Sequence, residues 1–469
     1  MAVEPMGAAD TAWLHMDRPT NLMVVNIVVS TEQPIDAKAL RQVLDQRLLA
    51  RFRRFRQRVE EPALPLGVLA APSWVDDDTF NLANHLRISA LPAPGDQATL
   101  QRIVGRLASR PLDRERPLWE LHLLKEYGAG SALLLRTHHA IADGAALMQV
   151  LLAITDPTEG DEHAGVLGWE DTVDSPALPG AVGRATHKLT RAAGRATATA
   201  TTLSTHALAA LAHPRTALEL AGLARAEATM LLKLGFGLRP PRNRLQGPLG
   251  PDKQFAWTQQ VPLADVKAVG RCTGSTVNDV MLGAITAALR RYFAEHGDTV
   301  EQTVVIVPVN LRAADAPVPS GLGNEFGLVF VPLPTGEPDH TRQQASVKAQ
   351  MDQIKSTREG AFLYSMLELM GQVPTAAQNA WIDAFANKAT AIVTNMTGPQ
   401  RAVSLSGRRV TEAMAWVPVT GPVGLGLSIF SYDRRLAVGL VSDAQLVPDA
   451  DKLLAFLDDE LDSLHSAKA

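Results

Sequence analysis

Hydrophobic and polar positions in the first part of the chain alternate between a strand-like and a helix-like period. LMVVNIVV (22–29) is a continuous, β-branched apolar run that predicts a buried strand. AKALRQVLDQRLLA (37–50) repeats its apolar residues at helical spacing and predicts an amphipathic helix. LWELHLL (118–124) and SALLLRT (131–137) flank a Gly-containing loop and predict a hairpin, after which Asp143 is well placed to start a helix.

The last part of the chain returns to the same mixed pattern. TVNDVMLGAITAALRRYFAEHG (276–297) predicts a long helix, and the β-branched run TVVIVPV (303–309) predicts the strand that follows it. VGLGLSIFSY (423–432) and RLAVGLV (435–441) predict paired strands across a two-residue turn, and LLAFLDDELDSL (453–464) predicts a closing helix. Which strands pair with which does not follow from these patterns.

The region between these two parts differs in composition. It is rich in alanine, and Pro214 can start a helix because proline is tolerated in a first turn. The pattern predicts an N-terminal domain (1–160), a helical linker (161–250) and a C-terminal domain (251–469). The predicted fold class is α/β with mixed sheets.

Composition narrows the class of protein. A chain of 469 residues is too long for one core, and 46% hydrophobic content is typical of a globular protein. The formal net charge of −4 gives no reason to expect a nucleic acid partner. The single cysteine, Cys272, excludes an internal disulfide and disfavours a cysteine-based metal site. Neither a signal peptide nor a bilayer-spanning apolar run is visible, so we expect a soluble or peripheral protein.

The stretch HHAIADG (138–144) carries the candidate chemistry. Adjacent residues on a strand point to opposite faces, so His138 and His139 are poorly placed to bind one metal ion, and we expect none. One reading is structural, with one histidine in the core and the other capping the next helix. The other reading is that His139, at the end of a rigid strand, removes a proton from a hydroxyl group, which accelerates such reactions about 10²–10⁴-fold.

The motifs together resemble a known family. HHAIADG resembles the HHxxxDG motif of the CoA-dependent acyltransferase superfamily, and four further segments resemble its wax ester synthase/diacylglycerol acyltransferase branch: RPLWE (116–120), TVNDVMLGAITAALRRY (276–292), VPVNLR (307–312) with GLGNEFG (321–327), and NMTGP (395–399). The resemblance implies two chloramphenicol-acetyltransferase-like domains joined by the linker, with an active-site tunnel between them. The chain departs from the pattern where Asn310 replaces a common serine and Met396-Thr397 replace Val-Pro.

The resemblance also implies residue roles. His139 would be the general base, exposed inside the tunnel, with His138 beside it as the weaker catalytic candidate. Asp143 would pair with Arg312 to hold the histidine loop open, and Gly144 would let the backbone leave that loop tightly. Asn278 would donate to the oxyanion while Asp279 fixes the start of its helix, although both are also ordinary helix-capping residues.

Five further residues would line the substrate channel. They are Pro117, Trp119, Asn310, Asn324 and Gly398. Each has an alternative reading, because the proline and tryptophan suit core packing and the Gly-Asn and Gly-Pro pairs suit turns.

The implied activity is transfer of a long-chain acyl group from acyl-CoA to a fatty alcohol, giving a wax ester, or to diacylglycerol, giving triacylglycerol. Acyl-CoA would be the co-substrate, with no cofactor and no covalent intermediate. One alternative is an acyltransferase that uses a carrier-protein thioester, and another is a non-catalytic lipid-binding or droplet-coating protein of the same fold.

The expected location is cytoplasmic, peripheral to a membrane or lipid inclusion, as a monomer or homodimer. Arg184, Lys188, Arg191 and Arg195 recur at helical spacing and form a stripe that would meet anionic headgroups, or that is simply a solvated face. RFRRFRQRV (51–59) would attract CoA phosphates or form an edge strand with its charges outward.

Overall fold

The computed structural model of the protein describes residues 3–62, 71–157, 243–311, 322–355, 359–373 and 375–466. Most of the predicted linker, including its basic stripe at 184–195, lies outside these residues. Arg312 also lies outside them.

The first sheet contains the strand that ends in the histidine pair. Its central strands are mostly apolar and are buried along their whole length, since both faces of the sheet are covered. In the described residues its strand order is β5 (Leu86–Ala90), β6 (Trp119–Tyr127), β7 (Gly130–His138), β2 (Val24–Thr31), β15 (Arg408–Trp416), β14 (Val403–Leu405) and β8 (Asp156–Pro157). The predicted hairpin at 118–137 is confirmed, because β6 and β7 pair antiparallel.

Two strands of this sheet come from the C-terminal part of the chain. β15 pairs antiparallel with β2, placing Ala413 opposite Val29 and Trp416 opposite Asn26. β14 then pairs with β15 and with β8. The boundaries at 160 and 250 stay a prediction, but strand pairing crosses them.

The second sheet is built from the C-terminal part alone. In the described residues its order is β10 (Val261–Pro262), β17 (Arg435–Asp443), β16 (Leu425–Tyr432), β13 (Ala391–Thr397), β11 (Thr303–Asn310) and β12 (Phe326–Leu333), with β9 (Lys253–Trp257) also paired to β17. A small third sheet has the order β1 (Val3–Pro5), β4 (Ser73–Asp76) and β3 (Gln57–Glu60).

The helices pack around these sheets. They are α1 (Ala8–Met16), α2 (Ala37–Val43), α3 (Gln97–Ala108), α4 (Gly144–Ile154), α5 (Leu263–Thr273), α6 (Val277–Glu295), α7 (His340–Lys355), α8 (Glu359–Met370), α9 (Thr375–Ala386) and α10 (Ala450–Ser466). α2 continues as one turn of π-helix, Leu44–Leu49, which accounts for the longer helix predicted at 37–50. No helix among the residues described is both long and apolar enough to cross a bilayer.

The basic stretch 51–59 is only partly an edge strand. Arg53–Arg56 form a turn of 3₁₀-helix before β3, which lies at the edge of the small sheet. Arg54 is buried against the ring of Trp74, 4.5 Å from its centroid, and bonds Glu4. The expectation that all the charges point outward is therefore wrong for Arg54.

Helix α1 lies where the two parts of the chain meet. The side-chain amide of Gln378, on α9, donates to the carbonyl of Ala12 at 2.7 Å. The backbone of Ala8 lies so close to Gly371, just after α8, that a Cβ there would overlap the Ala8 carbonyl. α1 is thus held by α8 and α9, although it precedes them by more than 300 residues.

Candidate active site

The histidine loop begins where β7 ends. His138 is the last residue of β7, and the backbone N–H of His139 donates to the carbonyl of Met23 at 2.7 Å. Asp143 then caps α4 by accepting from the N–H of Ala146 at 2.9 Å, as its position in the sequence predicts. Both histidines are 2% exposed.

Three side chains enclose the imidazole of His139. The indole of Trp13, from α1, stacks on it with ring centroids 4.3 Å apart and an interplanar angle of 18°. Phe326, the first residue of β12, lies with its ring centroid 5.6 Å away. Oδ1 of Asn324 lies 2.8 Å from Nδ1 of His139. The site is therefore assembled from α1, the histidine loop and the segment before β12.

The partners of Asn324 determine which nitrogen of His139 carries the proton. Nδ2 of Asn324 donates to the carbonyl of His139 at 2.8 Å and to Oδ1 of Asp10 at 2.7 Å. Because both partners are acceptors, the amide nitrogen must face them and Oδ1 must face the ring. Nδ1 of His139 therefore donates to Asn324, which leaves the lone pair on Nε2.

His138 has the opposite tautomer. Its Nδ1 accepts from the backbone N–H of Ala140 at 3.1 Å, so in the neutral ring Nε2 carries the hydrogen. That Nε2 is buried without a hydrogen-bond partner, 4.0 Å from Oδ2 of Asp17. Burial lowers the pKa of His138 to about 4 and also lowers the pKa of His139, so both rings are neutral at pH 7.

Asp143 links the histidine loop to the segment before β12. Its Oδ2 accepts from the N–H of Glu325 at 3.0 Å, and its own N–H donates to the carbonyl of Gly323 at 3.3 Å. Gly323 has φ of +102°, a conformation that favours glycine. The predicted partner Arg312 lies outside the described residues, so that ion pair stays a prediction.

Gly144 is closely packed against a side chain, and its backbone is not in the left-handed region. It is the first residue of α4 and is not among the glycines with positive φ. A Cβ at this position would lie 2.9 Å from Sδ of Met396, on β13. The glycine therefore allows close approach of a methionine side chain rather than an unusual backbone turn.

Asn278 lies at the start of α6 beside β13, and its role as a donor to the oxyanion stays a prediction. Its Oδ1 accepts from Nδ2 of Asn395 at 3.3 Å, and its own Nδ2 is buried without a partner. Asn278 thus contacts β13, whose next residue, Met396, lies against Gly144. Asp279 accepts from the N–H of Thr276 and completes a capping box, so it does fix the start of α6.

The expected channel residues divide into two groups. Asn310, at the end of β11, lies opposite Phe326 in the ladder, and Asn324 bonds His139 directly.

Trp119 instead has the contacts of a core residue, since it is 1% exposed and stacks on His85 at 4.6 Å. The preceding Pro117 is likewise buried. At Gly398 a Cβ would lie 2.7 Å from the carbonyl of Ser431, which gives this glycine a packing role.

Comparison with known proteins identifies the family. Residues 6–281 match the wax ester synthase/diacylglycerol acyltransferase catalytic domain, and residues 322–465 match the C-terminal domain of the same family. The chain belongs to this family. The resemblance inferred from the motifs is therefore confirmed, and the protein is an O-acyltransferase of the acyl-CoA type.

Relatives of the wax ester synthase/diacylglycerol acyltransferase family match nearly the whole chain. The probable diacylglycerol O-acyltransferase tgs1 of Mycobacterium tuberculosis (strain CDC 1551 / Oshkosh) is 28% identical over 453 residues, covering 95% of this chain and 91% of its own length. The wax ester synthase/diacylglycerol acyltransferase of Marinobacter aquaeolei VT8 superposes with a TM-score of 0.67 at 21% identity, with 99% of each chain covered.

A condensation domain shares the same fold. The first condensation domain of the calcium-dependent antibiotic synthetase gives a TM-score of 0.58 at 16% identity, covering 100% of this chain and 96% of its own. At that identity the likeness concerns the fold alone. With the Marinobacter structure it confirms the predicted mixed α/β fold of two sheet-rich domains.

The motifs did not indicate three residues around His139. Trp13, from α1, and Phe326, from the start of β12, contact the ring, while Asp10, also from α1, bonds Asn324 behind it. The only sequence signal for them is their position next to other motif residues, as with Phe326 inside GLGNEFG. Nothing in the sequence shows that residues 10 and 324 meet.

Proposed function

We propose that the enzyme moves a long-chain acyl group from acyl-CoA to a fatty alcohol or to diacylglycerol, with His139 as general base. The observation that supports this role is the hydrogen bond from Nδ1 of His139 to Asn324, which leaves the Nε2 lone pair available. In the neutral neighbour His138 the lone pair is already engaged by a backbone N–H. Of the two imidazoles, His139 is therefore the one suited to accept a proton.

The proposed reaction needs one base and no covalent acyl-enzyme. Nε2 of His139 takes the hydroxyl proton as the alcohol oxygen attacks the thioester carbonyl, forming the new C–O bond. The tetrahedral intermediate then breaks its C–S bond, and the departing CoA thiolate recovers the proton from Nε2. Acyl-CoA is the co-substrate, and the step uses no cofactor. Such a base contributes about 10²–10⁴ in rate.

Burial of His139 adds a requirement to this proposal. The expectation from the sequence is a ring exposed inside a tunnel, whereas the structure has a residue that is 2% exposed and packed against Trp13 and Phe326. The expected exposure is therefore wrong for this conformation. We propose that the side chains around the ring move when the acceptor hydroxyl enters.

The acceptor and its location are proposed from the family and the relatives. The Mycobacterium relative is named for diacylglycerol and the Marinobacter structure for both activities, so both acceptors are kept. Because these products are insoluble in water, we also propose that the enzyme works at a membrane or lipid-inclusion surface.

The test is an assay with palmitoyl-CoA and either hexadecanol or dipalmitoylglycerol. We expect His139→Ala to lower turnover at least about a hundredfold, within the range for loss of a general base. His85→Ala is a matched control, because His85 is also buried and stacked on a tryptophan, but on Trp119. It should lower stability and leave turnover per folded enzyme close to that of the wild type.

Three other results would contradict the proposal. Equal turnover in wild type and His139→Ala would exclude His139 as the base. Turnover with palmitoyl thioester on a carrier protein, and none with palmitoyl-CoA, would favour the carrier-dependent alternative. Tight lipid binding with no turnover on either donor would favour a coating protein.

A further inference from the structure

We propose that Asn324 and Asp10 are positioning residues that hold the proton of His139 on Nδ1 and so keep Nε2 ready to act as base. The inference rests on the proposed role of His139. Its support is a chain of hydrogen bonds from Asp10 through the amide of Asn324 to the imidazole, made by three residues that lie far apart in the sequence.

The amide of Asn324 has no freedom to reverse. It is 7% exposed and makes three hydrogen bonds, two from Nδ2 and one to Oδ1, at 2.7–2.8 Å. Reversing it would point Oδ1 at the carboxylate of Asp10 and at the carbonyl of His139, which are both acceptors. Two buried hydrogen bonds would be lost and like partial charges would meet, so only one orientation is stable.

The backbone around Asn324 is also held in place. The N–H of the next residue, Glu325, donates to Asp143, and the hydroxyl of Tyr364, on α8, donates to the carbonyl of Asn324 at 3.2 Å. On the other side, Gly323 N–H donates to the carbonyl of Ile141 at 3.2 Å. The amide is therefore presented to the ring by a segment fixed at several points.

Asp10 supplies the acceptor that sets the orientation of the Asn324 amide, and so the donor and acceptor roles in the hydrogen bonds from Asp10 to His139. An ionised carboxylate only accepts hydrogen bonds, so it selects the amide nitrogen of Asn324 and leaves the amide oxygen for the ring. The carboxylate is kept in the site although burial raises its pKa to about 6. A charged group retained where burial disfavours it is more common in functional sites than elsewhere.

The wrong tautomer would block the chemistry without blocking binding. With the proton on Nε2, the ring would offer a donor to the substrate hydroxyl and could not take its proton. Loss of the orienting partner should therefore lower kcat much more than it raises KM. A residue that only stabilises the fold would not give this pattern.

The first test is kinetic. Asn324→Leu removes the polar atoms at similar volume, and Asp10→Asn keeps the acceptor shape but removes the charge. We expect kcat to fall at least about tenfold in Asn324→Leu and by a smaller factor in Asp10→Asn, with KM for palmitoyl-CoA changed less than about twofold. Asn324→Leu added to His139→Ala should cause no further loss, because both changes disable the same base.

Asn243→Ala is the matched control. Asn243 also uses both ends of its amide: Nδ2 donates to the hydroxyl of Thr390, and Oδ1 accepts from the N–H of Leu245. Neither of these contacts involves His139. It should lower the melting temperature and leave kcat near the wild-type value. Equal kcat in Asn324→Leu and in this control would overturn the proposal.

The second test reads the tautomer directly and does not depend on catalysis. In enzyme with ¹⁵N-labelled histidine, the His139 signals are assigned as those missing in His139→Ala. We expect a protonated Nδ1 in the wild type and in Asn243→Ala, and a protonated Nε2 or a mixture in Asn324→Leu. An unchanged tautomer in Asn324→Leu would overturn the positioning role. Wild-type turnover in His139→Ala would instead overturn the proposed function, whatever the tautomer.

Discussion

Neighbouring atoms, not residue type, distinguish the two adjacent imidazoles. His138 receives a backbone N–H at Nδ1, and His139 gives its Nδ1 hydrogen to a side-chain oxygen. Each ring is neutral because burial lowers its pKa. Two identical side chains thus differ in chemistry through one hydrogen bond each, and a motif read as HH does not contain that difference.

The carboxyl of Asp10 gives the first prediction at this scale. Burial raises its pKa from 3.8 to about 6, so the folded state holds the proton more tightly than the unfolded state. The resulting stabilisation is fully present below pH 3.8 and is lost as pH rises through 6. At pH 7 the ionised carboxyl therefore costs up to about 3 kcal/mol relative to a neutral group.

Asp10→Asn should accordingly raise the free energy of unfolding at pH 7 and lower kcat in the same protein. The gain should vanish near pH 4, where the folded wild type is already protonated. Urea titrations of both proteins at pH 7 and pH 4 measure this. A loss of stability at pH 7 would show that the charge supports the fold and does not cost stability.

At the scale of single elements, local patterns predict most of the structure. The strand predicted at 423–432 and its partner form β16 and β17, which pair across Asp433 and Arg434, both with positive φ. The long helix predicted at 276–297 is α6, Val277–Glu295. These elements are set by periodicity and turn chemistry within about ten residues, so a single sequence contains the signal.

Contacts between distant elements are what the patterns omit. Asp10 and Asn324 are 314 residues apart, and their hydrogen bond depends on how α1 packs beside β12. The pairing of β15 with β2 has the same origin. Composition and period describe each element alone, so the motifs indicated His139, Asp143 and Asn324 but not the hydrogen bonds that join Asn324 to His139 and to Asp10.

The capping box of α6 gives a prediction at this scale. Thr276 Oγ1 accepts from the N–H of Asp279 at 3.2 Å while the carboxylate accepts from the N–H of Thr276 at 2.9 Å. Thr276→Ala should lower the free energy of unfolding by about 1 kcal/mol, the usual effect of losing such a cap. Thr273→Ala is the control, since Thr273 is exposed at the end of α5 and should change stability by less than about 0.5 kcal/mol. Equal losses in urea titrations would contradict the capping role.

In the molecule as a whole, the two parts of the chain share one of the two large apolar clusters found among the described residues. An apolar cluster includes Leu134 and Val28 from the first sheet together with Trp257, Phe330 and Val441 from the later part of the chain. The active site is shared as well, since the ring of His139 is enclosed by Trp13 and Phe326. Neither part contains a complete base with its partners.

This sharing predicts how a divided chain behaves. If the protein is expressed as two pieces cut between residues 200 and 201, the first piece lacks β14 and β15, so the edge of β2 that pairs with Ala413–Trp416 is unpaired. An exposed, apolar strand edge promotes aggregation, and we expect the first piece alone to be insoluble. Co-expressed pieces should copurify in equal amounts, because the second piece supplies those strands and part of the core. Copurification is measured with an affinity tag on one piece. If the first piece is soluble and monomeric and does not bind the second, the predicted boundary at 160 separates two independent domains.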